Sequence, residues 1–381
     1  MSRSTPSIRA IALAAALAAG AAPLLPAYAA TPATASAAQS EQRLDKLAAQ
    51  FYDARAKYDP MLYATANGDG RYDDQLGMAI APKVRARYLG FNHQLLKQMH
   101  GIDRARLAPK AQLNYDILAS EIQSQLDLEK FPEHLLPLNH FDNMPSNLAN
   151  YAGGTGSQPL NTPAQYRAYL SRLNQLPAWI DQAIANMKEG IRQKVVQPKS
   201  ITAKMLPQFR ELHSATPEAS IFATPVKHFP AGFSEQDQRA LTAGYTKAAA
   251  NINAALGRLN AFLEKDYMAA GRTTAGYSDL PNGAAWYQAR IKNNTNLDLT
   301  PAQIHELGLK EVARIQQQMA TLAPKLGYDG PANKFAQWVA AQDKFKPFKT
   351  EQQVLDGYRQ IYAKVQTKLP EYFSLVPKAK L

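Results

Sequence analysis

Apolar residues recur along the chain in steps of three and four, the spacing that lines side chains along one face of an α-helix. From Ser40 the series runs Leu44, Leu47, Ala48, Phe51 and Tyr52, and it stops before Pro60. Pro82 opens a second series of Val84, Tyr88, Phe91, Leu95 and Met99, and Pro109 a third of Leu113, Ile117, Leu118, Ile122 and Leu126. Proline suits a first helical turn because its missing N–H had no partner there. Four later starts place a hydroxyl three residues ahead of a side chain that can reach back: Thr162 with Gln165, Ser234 with Asp237, Thr300 with Gln303, and Thr350 with Gln353. Apolar stripes follow them. After Ser234 the stripe is Leu241, Tyr245, Ala248, Ile252, Leu256, Leu259 and Leu263; after Thr300 it is Ile304, Leu307, Val312, Ile315, Met319 and Leu322.

Strand signals are poor. Val195-Val196 and Ile221-Phe222 are short and flanked by proline. Two long stretches, 131–162 and 215–232, are rich in Pro, Asn and Gly and read as irregular; loops of that length usually serve a site. The pattern predicts an all-α fold, a bundle-like assembly of long helices with two extended loops. The residues after the recurring Thr-Pro-Ala-Gln do not align, so it marks helix starts and not an internal repeat.

Composition narrows the chemistry. With 381 residues, of which 46% are hydrophobic, the chain can bury a sizeable core. It has no cysteine, which excludes disulfides, thiol nucleophiles, iron–sulfur clusters and Cys-ligated zinc. The net charge is +12, yet no five basic residues run together, so no nucleic-acid partner is expected. At the start, Arg3 and Arg9 precede an apolar run from Ala10 to Ala22, and Ala27-Tyr28-Ala29 offers small residues for cleavage. That pattern predicts a signal peptide over 1–29, a flexible mature terminus over 30–39 and a helical region over 40–381. With no membrane span, the mature protein is expected in the periplasm or secreted.

Catalytic motifs are incomplete. His305-Glu306 begins like His-Glu-x-x-His, but Leu309 stands where the second histidine would be; Glu306 and Lys310 read instead as an ordinary i,i+4 pair. Glu133, His134, His140 and Asp142 gather in the first long loop without a metal-ligand spacing. Gly153-Gly154-Thr155-Gly156 lacks the lysine and the preceding strand of a phosphate loop, and no Gly-x-Ser-x-Gly occurs.

Three stretches carry a resemblance: 64–73 (ATANGDGRYD), 166–199 (from YRAYLSRLNQLPAWIDQ to VVQPK) and 280–312 (from LPNGAAWYQARIKNN to LKEV). Together they resemble the bacterial DUF885 family. The resemblance implies helical proteins similar to zinc peptidases, longer than this chain, with the metal-binding stretch beyond Leu381. It implies that this chain is the amino-terminal, substrate-covering portion, inactive alone, with no catalytic or metal residue to carry over and zinc expected only in the full-length protein. Its partners would be peptides or the missing carboxy-terminal half. Asn282, Gly283, Tyr287 and Arg290 lie in the characteristic stretch and are the implied substrate contacts: a glycine turn admits close backbone approach, and Tyr and Arg can hold a peptide backbone or carboxylate. Equally, Trp286 and Tyr287 read as core aromatics and Arg290 as a surface cation. A second class of function stays open, a non-enzymatic periplasmic protein that binds peptides or a partner chain. The coding sequence after Leu381 separates the two.

Overall fold

The computed structural model describes residues 32–154 and 156–376, with side chains from Ala37 onward. The expected signal peptide, 1–29, lies outside the described residues. Thirteen α-helices and no strand are found among them: α1 Pro32–Tyr58, α2 Pro60–Tyr63, α3 Pro82–His100, α4 Pro109–Leu128, α5 Met144–Ala152, α6 Pro163–Gln193, α7 Lys199–Leu212, α8 Glu235–Phe262, α9 Met268–Ala270, α10 Gly283–Thr295, α11 Pro301–Lys325, α12 Phe335–Ala341 and α13 Glu351–Tyr372. A five-residue π turn, Leu263–Tyr267, joins α8 to α9. The fold is all-α, as the periodicity predicts. Helix α1 begins at Pro32, inside the stretch 30–39 expected to be flexible.

The helix starts follow the local chemistry. Thr162 and Thr300 each accept from the N–H three residues on, while Gln165 and Gln303 return the bond to the cap backbone. Ser234 caps Asp237 in the same way, but the Asp237 carboxylate accepts from the serine hydroxyl at 2.7 Å instead of reaching the backbone. The loop 131–162 is less irregular than its composition suggests, since it contains α5, capped by the Asn143 side chain. The other long stretch, 215–232, holds a 3₁₀ segment, Ile221–Lys227.

Two compact units divide the chain between Asn293 and Asn294, within the region expected to be one. In the first unit, α6 and α8 pack along their length. The inward face of α6 is Tyr166, Tyr169, Leu173, Leu176, Ile180, Ala183 and Met187; that of α8 is Leu241, Tyr245, Ala248, Ile252, Ala255 and Leu259. Alanines at 248 and 255 let the two backbones approach, and each buried large side chain contributes about 1.5–3 kcal/mol. A separate cluster joins α1, α3 and α4 through Leu47, Phe51, Leu95, Met99, Ile122 and Leu126.

One buried cation ties α6 to the segment 64–73. Arg172 is fully buried, and its guanidinium donates to Thr65 Oγ1 at 2.6 Å, Gln158 Oε1 at 2.6 Å, and the carbonyls of Tyr72 and Gln75 at 3.0 and 2.9 Å. Asp73 balances its charge at 3.6 Å and accepts from the Thr65 hydroxyl at 2.6 Å. A buried guanidinium is tolerable only when paired and hydrogen-bonded in this way.

The second unit is built differently. Tyr328, Phe335, Trp338 and Phe345 form an aromatic cluster, yet Ala323 and Phe335 are its only buried apolar residues among those described. The stripes of its long helices stand open. Leu307, Val312, Ile315 and Leu322 of α11 and Val354, Tyr358, Ile361 and Val365 of α13 are all exposed. Periodicity predicts these faces correctly as apolar; it does not say what covers them.

Candidate functional site

The first unit carries a two-chambered cleft. Cavities of about 490 and 460 Å³ share Asp59, Leu62 and Pro137 as a common wall. The sequence explains the junction: Pro60 ends α1 and opens α2, and Asp59, between them, caps α2 by accepting from the Leu62 N–H at 3.1 Å. Burial pushes the Asp59 carboxyl above the ordinary carboxylate range against the opposing pull of that hydrogen bond, and the Asp142 charge adds to the rise.

Asp142 and Asn143 face the larger chamber from a loop held by Asn139, whose Oδ1 accepts from the N–H groups of Phe141 and Asp142 at 2.8 and 2.7 Å. That Asx turn holds Phe141 in solvent, 93% exposed.

The smaller chamber is walled by Tyr58 and Tyr88, stacked at 4.1 Å, with Asn92, Arg85, Glu129, Glu133 and His134 around them. Arg85 pairs with Glu129, and Glu133 with Arg290 of α10. Burial lifts the Tyr88 hydroxyl to about 12 while it donates to Gln125 Oε1 at 2.8 Å. Asn92 is wholly buried; its amide donates to Gln125 at 3.2 Å, and its Oδ1 has no protein partner. The buried Nδ1 of His134 also has none.

Burial, helped by the nearby Arg85 charge, pushes the His134 imidazole down to about 4. An unfolded histidine takes up its proton near pH 6.5. Between those values the unfolded chain therefore binds the proton that the folded chain refuses, and stability falls as pH drops. Discounting for partial solvent access, the loss should reach about 2 kcal/mol by pH 4. Urea midpoints at pH 7.5 and 4.5 should differ less in His134→Gln than in the parent protein; an equal difference would show that His134 is not the titrating group.

Of the four implied substrate contacts, two are engaged within the fold. Gly283 is buried, and a Cβ there would lie 1.7 Å from the Tyr277 carbonyl oxygen, so the backbone it admits is the protein's own. Arg290 spends its charge on Glu133 at the cleft. Asn282, in the left-handed region at φ 56°, and Tyr287 are exposed. Trp286 is fully buried, stacked with Phe131 and edge-on to Tyr277. The glycine-rich stretch is also structural in part, because Gly156 lies against the Tyr151 ring, which a Cβ would penetrate.

The zinc implied for the family finds no donor set here. No group of three or more His, Asp or Glu able to hold a metal ion exists among the described residues. His305 is exposed, and its neighbour Glu306 pairs with Lys310 at 2.9 Å, the i,i+4 arrangement the spacing predicts. His134 and His140 leave Nδ1 atoms buried and unpartnered, but no carboxylates complete a site with them.

Fold and cleft together define an all-α protein with a polar, aromatic-walled cavity in its first unit. The chain belongs to the DUF885 family, described as bacterial protein of unknown function, whose profile matches residues 62–381. It is similar in fold to the crystal structure of "the putative lipoprotein from Colwellia psychrerythraea", with a TM-score of 0.76 at 17% identity. That match covers 90% of this chain and 61% of the Colwellia chain, so this chain spans less than two thirds of its length. No curated protein matches. None of the described helices is long and apolar enough to cross a membrane.

Proposed function

We propose that this chain is the amino-terminal, substrate-covering part of a longer exported DUF885-type peptidase, and that a further helical body bearing the metal centre packs on the open faces of α11 and α13. The observation that carries the reading is the exposure of those stripes. Apolar rows at helical spacing are the mark of a face meant to be covered, and large exposed apolar patches mark interaction surfaces. The greater length of the Colwellia chain, similar in fold, supports it. Asn282 and Tyr287, exposed on and beside α10, remain open as contacts to a bound peptide.

Zinc in such a body would lower the pKa of bound water for attack on the peptide carbonyl. The 381-residue chain alone should bind zinc no tighter than about micromolar and hydrolyse no peptide. Coexpression with the polypeptide encoded directly downstream should yield a complex with peptidase activity that a chelator abolishes. Stoichiometric zinc and chelator-sensitive hydrolysis in the isolated chain would overturn the proposal. The two-chambered cleft favours a second reading, a non-enzymatic peptide-binding protein; it would be upheld by a complex that binds peptides and never cleaves them.

A further inference from the structure

We infer that the chamber bounded by Tyr58, Asp59, Tyr88, Asn92 and His134 binds a primary ammonium group carried on an apolar or aromatic body.

Charge is the first argument. The guanidiniums around the chamber are each held in an ion pair, Arg85 by Glu129, Arg290 by Glu133, and Arg55 by Glu121 at 2.8 Å, although the Arg85 charge is still felt at His134. Arg172, whose charge also reaches Asp59, is held by Asp73. Asp59 is in no ion pair among the described residues; it accepts a backbone hydrogen bond and faces a second unpaired carboxylate, Asp142, across the adjoining chamber. In a chain of net charge +12, the cleft wall thus carries two carboxylates outside any ion pair among the described residues. A cation is the ligand that completes it.

Hydrogen bonding is the second argument and is independent of the first. A fully buried asparagine oxygen with no protein partner is rare in a folded protein. Asn92 has its amide committed to Gln125, so what its Oδ1 needs is a donor. The unprotonated imidazole of His134 leaves a ring nitrogen on the same wall also in need of a partner. An ammonium group offers three donors and no acceptor, which suits the Asp59 carboxylate and, once the wall yields to admit it, the closed-off Asn92 Oδ1.

The walls set the rest of the ligand. Tyr58, Tyr88 and Phe131 supply aromatic surface, and about 460 Å³ admits a small molecule or the first residue or two of a peptide. Tyr63 is unavailable as a platform because Arg55 covers its ring at 3.8 Å. An amine and a peptide amino terminus share this chemistry. The inference concerns the first unit alone and stands whether or not the proposed peptidase reading does.

Calorimetry and two-dimensional NMR on the whole chain test it with four probes: 2-phenylethylamine, 2-phenylethanol, phenylalanyl-alanine and its N-acetyl derivative. The amine should bind one to one, and the alcohol about tenfold more weakly or worse. Asp59→Asn keeps the α2 cap, since Asn caps as well as Asp, and should weaken the amine about tenfold while leaving the alcohol unchanged. Asn92→Leu should do the same where it folds. Binding of the free dipeptide as tightly as the amine assigns the site to peptide amino termini; preference for the amine alone assigns it to small amines. Either result upholds the ammonium site. It is overturned if the amine does not bind, if the alcohol or the acetylated dipeptide binds equally well, or if Asp59→Asn leaves amine affinity unchanged.

Discussion

Replacing Arg172 with methionine should cost about 3–5 kcal/mol, a large fraction of the roughly 5–15 kcal/mol that stabilises an ordinary domain. Methionine fills much of the same volume, so the loss does not come from a cavity. It comes from what the guanidinium leaves behind: Gln158 Oε1, Thr65 Oγ1 and the carbonyls of Tyr72 and Gln75 lose their donor in a place water does not reach, and Asp73 loses its counter-charge. Arg172→Lys should recover only part of the loss. An ammonium is a point donor on a flexible stem and cannot span acceptors set out for a planar fork. Urea denaturation followed by circular dichroism measures both variants. A methionine variant within about 1 kcal/mol of the parent would mean that the segment 64–73 is held by its apolar contacts alone.

Gly283→Ala tests a different link, between a turn and its packing. A methyl group at this position would sit 1.7 Å from the Tyr277 carbonyl oxygen, about half a normal contact distance, and backbone oxygen cannot swing aside as a side chain can. The segment 277–283 would have to move, taking with it the Tyr277 ring that meets Trp286 edge-on. A cost of about 2–4 kcal/mol follows from the overpacking and the broken aromatic cluster. Thermal unfolding would read it. If Gly283→Ala melts like the parent protein yet loses peptide binding, the glycine serves the ligand and not the fold.

Much of the helical architecture could be read from periodicity, because a 3.6-residue stripe and a capped start are local properties of the chain. Helix α5 could not, since its nine residues make only about two and a half turns and its Pro, Asn and Gly surroundings look like loop. The cleft was legible only in fragments. Glu133, His134 and Asp142 stand out as polar residues in a long loop, but Tyr58, Arg85 and Tyr88 come from α1 and α3, and only tertiary packing brings them beside that loop. One overlooked signal was local. Asn92 occupies the stripe of α3 four residues after Tyr88 and three before Leu95, where an apolar residue would ordinarily face the core. Arg172 carried a like signal, an arginine one position ahead of Leu173 in the buried face of α6. A polar side chain in a buried helical row has to be answered by a partner, within the protein or outside it.

Synthesis order gives the imbalance between the two units a meaning in time. A chain leaves the ribosome, or the export channel that a signal peptide leads it through, amino end first, and domains generally fold as they emerge. Helices α6 and α8 and the Arg172 anchor all lie within the first unit, so its core closes without waiting for anything after Asn293. Among the described residues the later helices have only Ala323 and Phe335 to gather around, and for as long as their outer rows find no cover they are the part of the nascent molecule that a chaperone would hold.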